Sequence, residues 1–591
     1  METYSSLRYR FNQHVYGLLL NPFKAFWRQT RIGVGGAIVL AFLLIALYHS
    51  ALTGWWRWDD TQILKLAFLY SPGQYFFVPE AYHGLSLRNF TPWVIFSFDL
   101  DLRLFGMHPL SFYIHQLIMI GLAAWGTFIL LRLWMPALWA GLCSGLCLIG
   151  APVATIAQQL MTRHYIAGLV FSLFALYLYI RAVREERVTL SLCAALLYLM
   201  AMSAKEVYVP LVMVCLFWPE NNFHKRLTAS APFFISLTAY LLWRHYMLGA
   251  VGGGYPLEWT AILYVPVHVG KALFGTHWTA LVVGILSAFI LVAGVYRNSL
   301  TTLLFSLVLM ASVLGPLIPL GGAVTAGRYL LVVWWSLCMV LCTILGRWDW
   351  KWAQHPLIPY VLLGLIALTV LINFHRVNHG LHPMAKRFDA VGQFVWEIDN
   401  GKQVLYAPRI SLFGHYFGGL LWLKQRLGKP SPPVVIMGDE MELASLRESR
   451  NTVWAYSAQD NRVRNISFTI DDLLKRWENR LRVKPLRIKL RYGSDQVVHW
   501  QCGPYQKGRY TFISCDKPAH VSCKSCKDQG MSKFPLSPAG QWRVNLRHTL
   551  CFYLRYDSPE GWTTYSPLLR FNPGGRAPVV WSRQQDIEGP P

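Results

Sequence analysis

Charged side chains are scarce in this chain. They make up 14% of its 591 residues, and Asp and Glu together number only 30. Soluble proteins are about 25% charged, so the composition argues against a single soluble domain. Disorder is excluded because 54% of the residues are hydrophobic and need burial. Lys and Arg nevertheless number 55, which gives a net charge of +25. Nucleic acid binding, anionic lipid binding and orientation in a bilayer would each explain this charge, and composition alone does not choose among them.

Long apolar stretches fill the chain up to residue 375, at lengths that suit a membrane crossing. They predict about eleven spans. The predicted spans are 33–50, 112–132, 137–156, 164–181, 189–204, 206–219, 228–247, 278–296, 300–319, 329–346 and 357–375. The 25 Trp, 29 Tyr and 32 Phe fit such a protein, because amphipathic rings anchor helix ends at lipid interfaces.

Basic residues alternate along the chain in a way that predicts orientation. Before the first span stand Arg8, Arg10, Lys24, Arg28 and Arg31, and further basic residues occur at every second turn. The positive-inside rule then places residues 1–32 in the cytoplasm, and an odd number of spans places the tail on the opposite face. No small-residue cleavage site follows the first span, so we interpret it as a retained anchor.

The tail from Arg376 onward reads as soluble, with 32 Lys and Arg against 18 Asp and Glu, a net +14. Within 376–483, helical signals mix with short strands at Lys402–Tyr406 and Pro433–Met437, which predicts an α/β region. Within 484–591, short alternating runs separated by turns predict an antiparallel β-sandwich. Those runs are Leu486–Tyr492, Arg509–Ser514, Gln541–Leu546 and Thr549–Tyr556.

Five cysteines stand in the tail, at positions 502, 515, 523, 526 and 551. In an oxidising compartment they predict two disulfides and one remaining thiol. The spacing Cys523-Lys-Ser-Cys526 also suits zinc or redox chemistry, but no second such pair accompanies it. The sequence leaves the connectivity open.

Two adjacent carboxylates, Asp59 and Asp60, follow the first span in Trp55-Trp56-Arg57-Trp58-Asp59-Asp60. They open the first outer loop, 51–111, and precede the amphipathic segment Gln62–Leu69. One interpretation is a helix N-cap, for which Asp is favoured. The other is a general base at the membrane surface that takes a proton from an acceptor hydroxyl. One Asp can cap while the other reacts.

Several cations recur at predicted helix ends on the outer face, where the positive-inside rule disfavours them. The residues are Arg88, His108, Arg163 with His164, Lys205 beside Glu206, and Arg328 beside Tyr329. Interfacial anchoring explains one such residue alone. Several at one depth instead predict a pocket for an anion that arrives with lipid, such as a polyprenyl phosphate, which Arg and Lys side chains bind well.

In its ordered set of short motifs, the chain resembles the GT-C superfamily of membrane glycosyltransferases, and within it the branch of protein O-mannosyltransferases and the aminoarabinose transferase of lipid A. The resemblance covers residues 33–375. The motifs are Trp58-Asp59-Asp60, Arg88-Asn89-Phe90-Thr91-Pro92, His108-Pro109-Leu110 with His115, Met161-Thr162-Arg163, Ser203-Ala204-Lys205-Glu206 and Gly327-Arg328-Tyr329-Leu330.

The resemblance implies a polytopic α-helical membrane protein with a C-terminal extracytoplasmic region. It implies a polyprenyl-phosphate-linked sugar donor, an Asp of the first outer loop as the base, with Asp59 favoured, and Arg163, Lys205 and Arg328 at the donor phosphate. Arg88, His108, His164, Glu206 and Tyr329 are candidate substrate-binding residues. The chain departs from its relatives at His164-Tyr165 and at Ala151-Pro152, which leaves the sugar contacts open.

The expected reaction is an inverting transfer in the bacterial inner membrane to a protein, glycan or lipid A hydroxyl on the periplasmic face. No cofactor and no metal is expected, with a divalent ion beside Asp59 and Asp60 as the lesser alternative. A flippase for a lipid-linked sugar is the second alternative. It predicts charged residues near the bilayer midplane and repeated halves, but the predicted spans contain few charges and the sequence shows no internal repeat. A non-catalytic envelope assembly protein is the third alternative. Nucleic acid is not an expected partner, because no recognition motif occurs.

Overall fold

The computed structural model describes residues 33–86, 89–252, 261–275, 300–325, 327–347, 357–399, 401, 403–407, 413–431, 434–437, 439–444, 447, 452–493, 497–517, 532–543, 549–571 and 578–584. Outside these residues lie the segment 1–32, predicted to be cytoplasmic, the predicted span 278–296, and the residues Arg88, Cys523 and Cys526. The chain forms two compact units. One contains Met1–Gly54 and Leu66–Ala385, and the other contains Trp55–Lys65 and Lys386–Pro591.

Helices dominate the first unit, as the apolar stretches predict. In chain order the helices are α1 (Gly33–Thr53), α2 (Asp60–Leu69), α3 (Pro72–Phe77), α4 (Pro79–His83), α5 (Pro92–Phe105), α6 (Pro109–Leu131), α7 (Ala137–Leu148), α8 (Ala151–Gln158), α9 (Arg163–Glu185), α10 (Val188–Ala204), α11 (Leu211–Phe217), α12 (Phe223–Leu248), α13 (Ala261–Phe274), α14 (Leu300–Leu314), α15 (Leu331–Arg347) and α16 (Ile358–Glu397). Short 3-10 turns stand at Leu160–Thr162, Glu206–Tyr208, Gly315–Thr325 and Gly327–Leu330.

Among the described residues, 4 helices are long and apolar enough to cross a membrane. They are Gly33–Thr53, Pro109–Leu131, Leu160–Glu185 and Tyr360–Glu397. Helices α7 and α8 are bent by 59° relative to each other, and if they are counted as one span the number of candidate spans rises to 5. Further apolar helices have 10–17 residues, which is shorter than the roughly 20 that a straight crossing needs. The multi-span character is therefore confirmed, but the count of about eleven is not.

Close helix packing organises the first unit around α9. This helix packs against α6 and α10, and α10 packs in turn against α12. The buried face of α10 carries the small residues Ala194, Ala195 and Ala201, which let helix backbones approach closely. A buried polar bond also joins α9 to α11, where the Tyr179 hydroxyl donates to the Cys215 carbonyl at 2.8 Å.

The helix α16 is longer than its predicted span. The apolar stretch predicts an end at residue 375, but the helix continues to Glu397, 40 residues in all. The division between the two units falls inside it, after Ala385. The physical reason for the difference is that polar residues after 375 mark the end of an apolar stretch, not the end of a helix.

The second unit contains a small α/β sheet. Its strands are β1 (Gln403–Tyr406), β2 (Val434–Met437), β3 (Thr452–Ser457) and β4 (Arg462–Asn465), in the order β2-β1-β3-β4. Strand β1 runs parallel to both neighbours, and the helices are α17 (Phe413–Arg426), α18 (Glu440–Ala444) and α19 (Ile470–Glu478). The strands predicted near 402–406 and 433–437 are confirmed.

Two antiparallel sheets follow. Their strands are β5 (Leu486–Tyr492), β6 (Val497–Gly503), β7 (Arg509–Lys517), β8 (Ser532–Leu536), β9 (Ala539–Arg543), β10 (Thr549–Asp557), β11 (Thr563–Tyr565), β12 (Leu569–Phe571) and β13 (Val579–Arg583). One sheet has the order β11-β10-β7-β8 with β12 beside β10, and the other has β13-β5-β6-β9. Inward side chains of both sheets, such as Ile488 and Phe552, share one buried core, as a sandwich requires.

The cysteines divide between free thiols and a disulfide. Cys502 is a free thiol buried in the sandwich core, whereas Cys551 is disulfide-bonded. The register of β10 and β7 places the backbone of Cys551 opposite that of Cys515. At least one of the predicted disulfides therefore forms in the tail.

Candidate active site

A buried ion cluster joins three helices of the first unit. Arg163, at the first turn of α9, is only 1% exposed and donates to the Asp101 carboxylate of α5 at 2.6 Å. The other Asp101 oxygen lies 2.6 Å from Nδ1 of His115 on α6. Arg163 also donates to Gln116 Oε1 at 3.2 Å and to the Phe112 carbonyl at 2.7 Å. The contacts of this guanidinium tie α5, α6 and α9 together.

A second polar junction joins two of the motifs that the sequence singles out. The Glu206 carboxylate accepts from the Phe90 backbone N–H and from the Arg244 guanidinium of α12, both at 2.5 Å. Trp93 Nε1 donates to the Ser203 hydroxyl at 2.7 Å. The segments 89–93 and 203–206 therefore lie side by side. Arg244, which pairs with Glu206, also donates from Nε to the Val251 carbonyl at 3.0 Å.

Lys205 and Arg328 meet around a pair of tyrosine rings. The Lys205 ammonium lies 5.2 Å from the ring of Tyr165 and 3.4 Å from Glu206. The Tyr165 ring stands edge-on to Tyr329 at 6.1 Å, and the Arg328 guanidinium lies 5.0 Å from the Tyr329 ring. The His164 ring lies 4.6 Å from the Tyr165 ring. We call these five residues, His164, Tyr165, Lys205, Arg328 and Tyr329, the cation cluster.

The backbone next to the cation cluster packs closely against neighbouring side chains at Gly168 and at Gly327. Tyr208 is buried and its hydroxyl donates to the Tyr165 carbonyl at 2.5 Å. Its ring lies so close to α9 that a Cβ at Gly168 would stand 2.2 Å from it. On the other side, a Cβ at Gly327 would stand 2.5 Å from the Thr155 hydroxyl of α8. Glycine at both positions allows the approach that positions Tyr165 and Arg328.

The two aspartates belong to the second unit and differ in environment. Asp60 is fully buried at the first residue of α2, and its carboxylate accepts from the Arg57 backbone N–H at 2.8 Å. Asp59 is partly exposed, and its carbonyl accepts from the backbone N–H of Gln62 and of Ile63. The Asp60 carboxylate thus bonds back to the preceding turn, and of the two carboxylates the one on Asp59 is the more accessible.

The turn before Asp59 is strained and firmly held. Trp58 has a φ of 46°, a conformation that a bulky residue rarely adopts and that concentrates at functional sites. Its ring packs 5.2 Å from Phe388. Arg57, 3% exposed, forms a forked pair with Asp389, with Nε–Oδ1 at 2.7 Å and Nη2–Oδ2 at 2.6 Å. This support holds the conformation of the turn that carries Asp59.

Two candidate substrate-binding residues, His108 and Arg88, are not part of the contacts described above. His108 is exposed and precedes α6, where its carbonyl accepts from the Ser111 hydroxyl at 2.7 Å. Arg88 lies outside the described residues. No group of three or more His, Cys, Asp or Glu that could hold a metal ion occurs among the residues that the structure describes.

Four charged residues of these networks escape the sequence interpretation: Asp99, Asp101, Arg244 and Asp389. A signal for the first two is present, because two acids in the apolar segment 92–105 are costly unless they are paired. Arg244 carries the same signal inside a predicted span. Asp389 carries none, since its partner Arg57 lies 332 positions away in the sequence.

No protein-family model matches the chain. No curated protein is similar to it in sequence. Solved structures match the chain at 9% to 12% sequence identity. ArnT from Cupriavidus metallidurans in the apo state matches with a TM-score of 0.40 and 12% identity over 73% of this chain and 93% of that one. ArnT bound to undecaprenyl phosphate gives 0.40 and 11% over 72% and 92%.

The archaeal oligosaccharyltransferase AglB from Archaeoglobus fulgidus, in complex with an inhibitory peptide and a dolichol-phosphate, gives a TM-score of 0.37 and 9% identity over 81% of this chain and 74% of that one. These similarities are distant and assign no residue a role.

Proposed function

We propose that the chain is an integral membrane glycosyltransferase that moves a sugar from a polyprenyl-phosphate donor to an acceptor hydroxyl. The observation that carries the proposal is the cation cluster, in which Lys205 and Arg328 converge on Tyr165 and Tyr329 at the ends of apolar helices. Like charges gather at a membrane edge at a cost in free energy. A phosphate group carried by a lipid lowers that cost, because it adds negative charge to that of the Glu206 carboxylate, which lies 3.4 Å from Lys205.

In the proposed reaction, Lys205 and Arg328 bind the donor phosphate. The bond between the anomeric carbon and the phosphate oxygen breaks, and the phosphate leaves with the electron pair. The two cations stabilise the negative charge that develops there. The acceptor oxygen attacks the anomeric carbon from the opposite side, so the configuration inverts. No cofactor is needed, because the phosphate is already a good leaving group.

Asp59 is the proposed general base and accepts the proton of the acceptor hydroxyl. Its partial exposure supports this role, and so does the strained, supported turn that carries it. Asp60 serves to hold the turn, since its carboxylate is already bonded to the Arg57 N–H. Arg163 serves as a positioning residue, because its guanidinium is occupied by Asp101, Gln116 and Phe112.

Further features of the proposal come from the sequence. The basic residues on alternate turns support a cytoplasmic N-terminus and a periplasmic C-terminal region in a bacterial inner membrane. The sugar is a hexose or a pentose, and the acceptor is a protein, a glycan or lipid A. His164 and Tyr329 of the cation cluster, together with Glu206 beside Lys205, are the proposed contacts of the donor sugar, with Arg88 and His108 as further candidates.

The experiment is a deletion strain complemented with variants, whose lipid A, glycans and envelope proteins are compared by mass spectrometry. Asp59→Asn should lose the same glycoconjugate as the deletion, although the protein still inserts into the membrane. Asp472→Asn is the matched control, because Asp472 is an exposed carboxylate on α19, and it should restore the wild-type profile.

An unchanged glycoconjugate profile in the deletion strain, with the acceptor present, would overturn the proposal. A transporter would instead show the lost product together with accumulation of the lipid-linked sugar on the cytoplasmic face, and it would tolerate Asp59→Asn. An assembly protein would also tolerate that substitution.

A further inference from the structure

The β-sandwich of the second unit contains a cleft that the proposed transfer reaction does not use. Its volume is about 690 Å³, which lies within the range of small-molecule sites. Three aromatic side chains line it, Tyr505, Tyr556 and Trp562, together with the polar residues Lys484, Lys507 and Glu560. We call it the aromatic cleft.

The three rings are packed in a fixed arrangement. Tyr505 stacks on Tyr556 with ring centres 4.3 Å apart and planes inclined by 18°. The Trp562 ring stands 5.4 Å from each of them. Tyr556 is 2% exposed and forms the floor, whereas Tyr505 and Trp562 are half-buried. The cleft therefore presents aromatic surface that is already ordered without a ligand.

Two turns hold this surface in place. In the first, the Tyr556 hydroxyl donates to the Lys507 carbonyl, and Gly508 has a φ of 91° with no room for a Cβ, which would lie 2.4 Å from that hydroxyl. In the second, which connects β10 to β11, the Ser558 N–H donates to the Trp562 carbonyl at 2.9 Å. The indole Nε1 of Trp562 donates to Glu560 at 2.9 Å, which fixes the ring orientation.

The edge of the aromatic cleft is polar and charged. Lys484 and Lys507 offer donors, Glu560 offers acceptors, and Lys507 and Glu560 are exposed. A purely apolar ligand would leave these groups desolvated without partners, at a cost in free energy. A flat ring system would compete with Tyr505 and Trp562, which already pack against Tyr556.

A sugar ring meets both requirements. Its C–H face carries weak positive charge and packs on the negative face of an aromatic ring. Its equatorial hydroxyls point outward, where Lys ammonium and Glu carboxylate groups form charge-assisted hydrogen bonds. We propose that the aromatic cleft is a saccharide-binding site, with Trp562 and Tyr505 as the stacking platform. This site is separate from the transfer reaction and does not depend on it.

The test uses the full-length protein in lipid nanodiscs and a panel of fluorescently labelled hexasaccharides of glucose, mannose, N-acetylglucosamine and arabinose. Binding is measured by fluorescence anisotropy. We expect at least one saccharide to bind, and Trp562→Ala to weaken that binding by about tenfold or more, as the loss of a central aromatic contact does. Trp581→Ala is the matched control, because Trp581 is a half-buried Trp on β13 of the same sandwich, and it should leave the affinity unchanged.

Trp562 also packs against the sandwich core, so a second variant separates binding from folding. Lys507→Ala removes an exposed side chain and keeps the carbonyl that Tyr556 uses. We expect it to weaken binding by about threefold with an unchanged melting temperature. The proposal is overturned if no saccharide of the panel binds, if binding survives Trp562→Ala, or if an unlabelled extended peptide, and no saccharide, occupies the site. A catalytically inactive Asp59→Asn protein that still binds would show that the site stands independently of transferase activity.

Discussion

The Arg163 guanidinium donates to the Asp101 carboxylate across 2.6 Å, and the two side chains are only 1% and 2% exposed. Both charges are thus removed from solvent, and each is held by the other. Two residues away from Asp101, Asp99 pairs with Arg103 at 2.7 Å, but the Arg103 side chain is 63% exposed. Helix α5 therefore carries two buried aspartates, Asp101 with a buried arginine partner and Asp99 with an exposed one, which makes a matched comparison.

Asp101→Asn should destabilise the protein strongly. The substitution leaves the Arg163 charge buried without its counter-ion, a loss of about 3–5 kcal/mol. Arg103→Ala should cost less, because the Arg103 charge lies largely in solvent and the buried Asp99 carboxylate keeps the hydrogen bond from the Tyr75 hydroxyl. The apparent melting temperature in detergent, followed by size-exclusion chromatography after heating, compares the two. Equal decreases in melting temperature for the two variants would show that burial of the Arg163–Asp101 pair does not increase its contribution to stability.

Arg328→Ala and Lys205→Ala should weaken binding of a polyprenyl phosphate. Hydrogen bonds to charged groups contribute about 1.5–3 kcal/mol, so each variant should lose about tenfold or more in affinity. Native mass spectrometry of the protein in nanodiscs that contain undecaprenyl phosphate measures the bound fraction. Lys225→Ala is the control, since Lys225 pairs with Glu186 on an exposed surface at 2.6 Å. An Arg328→Ala protein that binds as well as the wild type would remove Arg328 from the phosphate site.

The two adjacent aspartates should respond differently to substitution. Asp59→Asn should reduce transfer by a factor of about 10²–10⁴, as the loss of a general base does, with no change in melting temperature. Asp60→Ala should cost about 1–2 kcal/mol of stability, because the turn loses the acceptor for the Arg57 N–H. Sugar transfer and thermal denaturation of both variants in nanodiscs distinguish the roles. If Asp60→Ala alone abolished transfer at full stability, the assignment of the base would be reversed.

The stability of the C-terminal region should depend on pH through Asp557. Burial acts to raise the pKa of this carboxyl, but the charge of Arg555 and hydrogen bonds from Arg555, Thr563 and Arg509 outweigh it and lower the pKa. A lowered pKa contributes stability above the unfolded value of about 3.9, and that contribution is lost as the pH falls through the lower folded value. The difference in stability between wild type and Asp557→Asn should therefore be full at pH 6 and shrink below about pH 4.

Tryptophan fluorescence of both proteins during denaturant unfolding at pH 6 and at lower pH values measures this difference. Asp472→Asn, at an exposed position, should show no such pH-dependent difference from the wild type. A gap between wild type and Asp557→Asn that stays constant from pH 6 to pH 2 would contradict the prediction.

Periodicity identified elements whose signal is local. The alternating run Leu486–Tyr492 is a strand with alternately buried and exposed residues, as predicted, because a side-chain period of two is written directly in the sequence. The amphipathic segment after Asp60 is helical for the same kind of reason. Periodicity and hydropathy did not predict the end of α16, because the apolar stretch ends at residue 375 while the helix continues to Glu397.

Composition and periodicity predicted a helical membrane protein with a β-rich tail, and the positive-inside rule identified Arg163, Lys205 and Arg328 as cations on the face where they are disfavoured. Composition and charge bias act along the chain, so they can be read from it. The ion-pair partners came from the three-dimensional structure, in which Arg163 pairs with Asp101, Glu206 with Arg244, and Arg57 with Asp389. These partners are 62, 38 and 332 positions apart, and ion pairing depends on distance in space, which the order of residues does not contain.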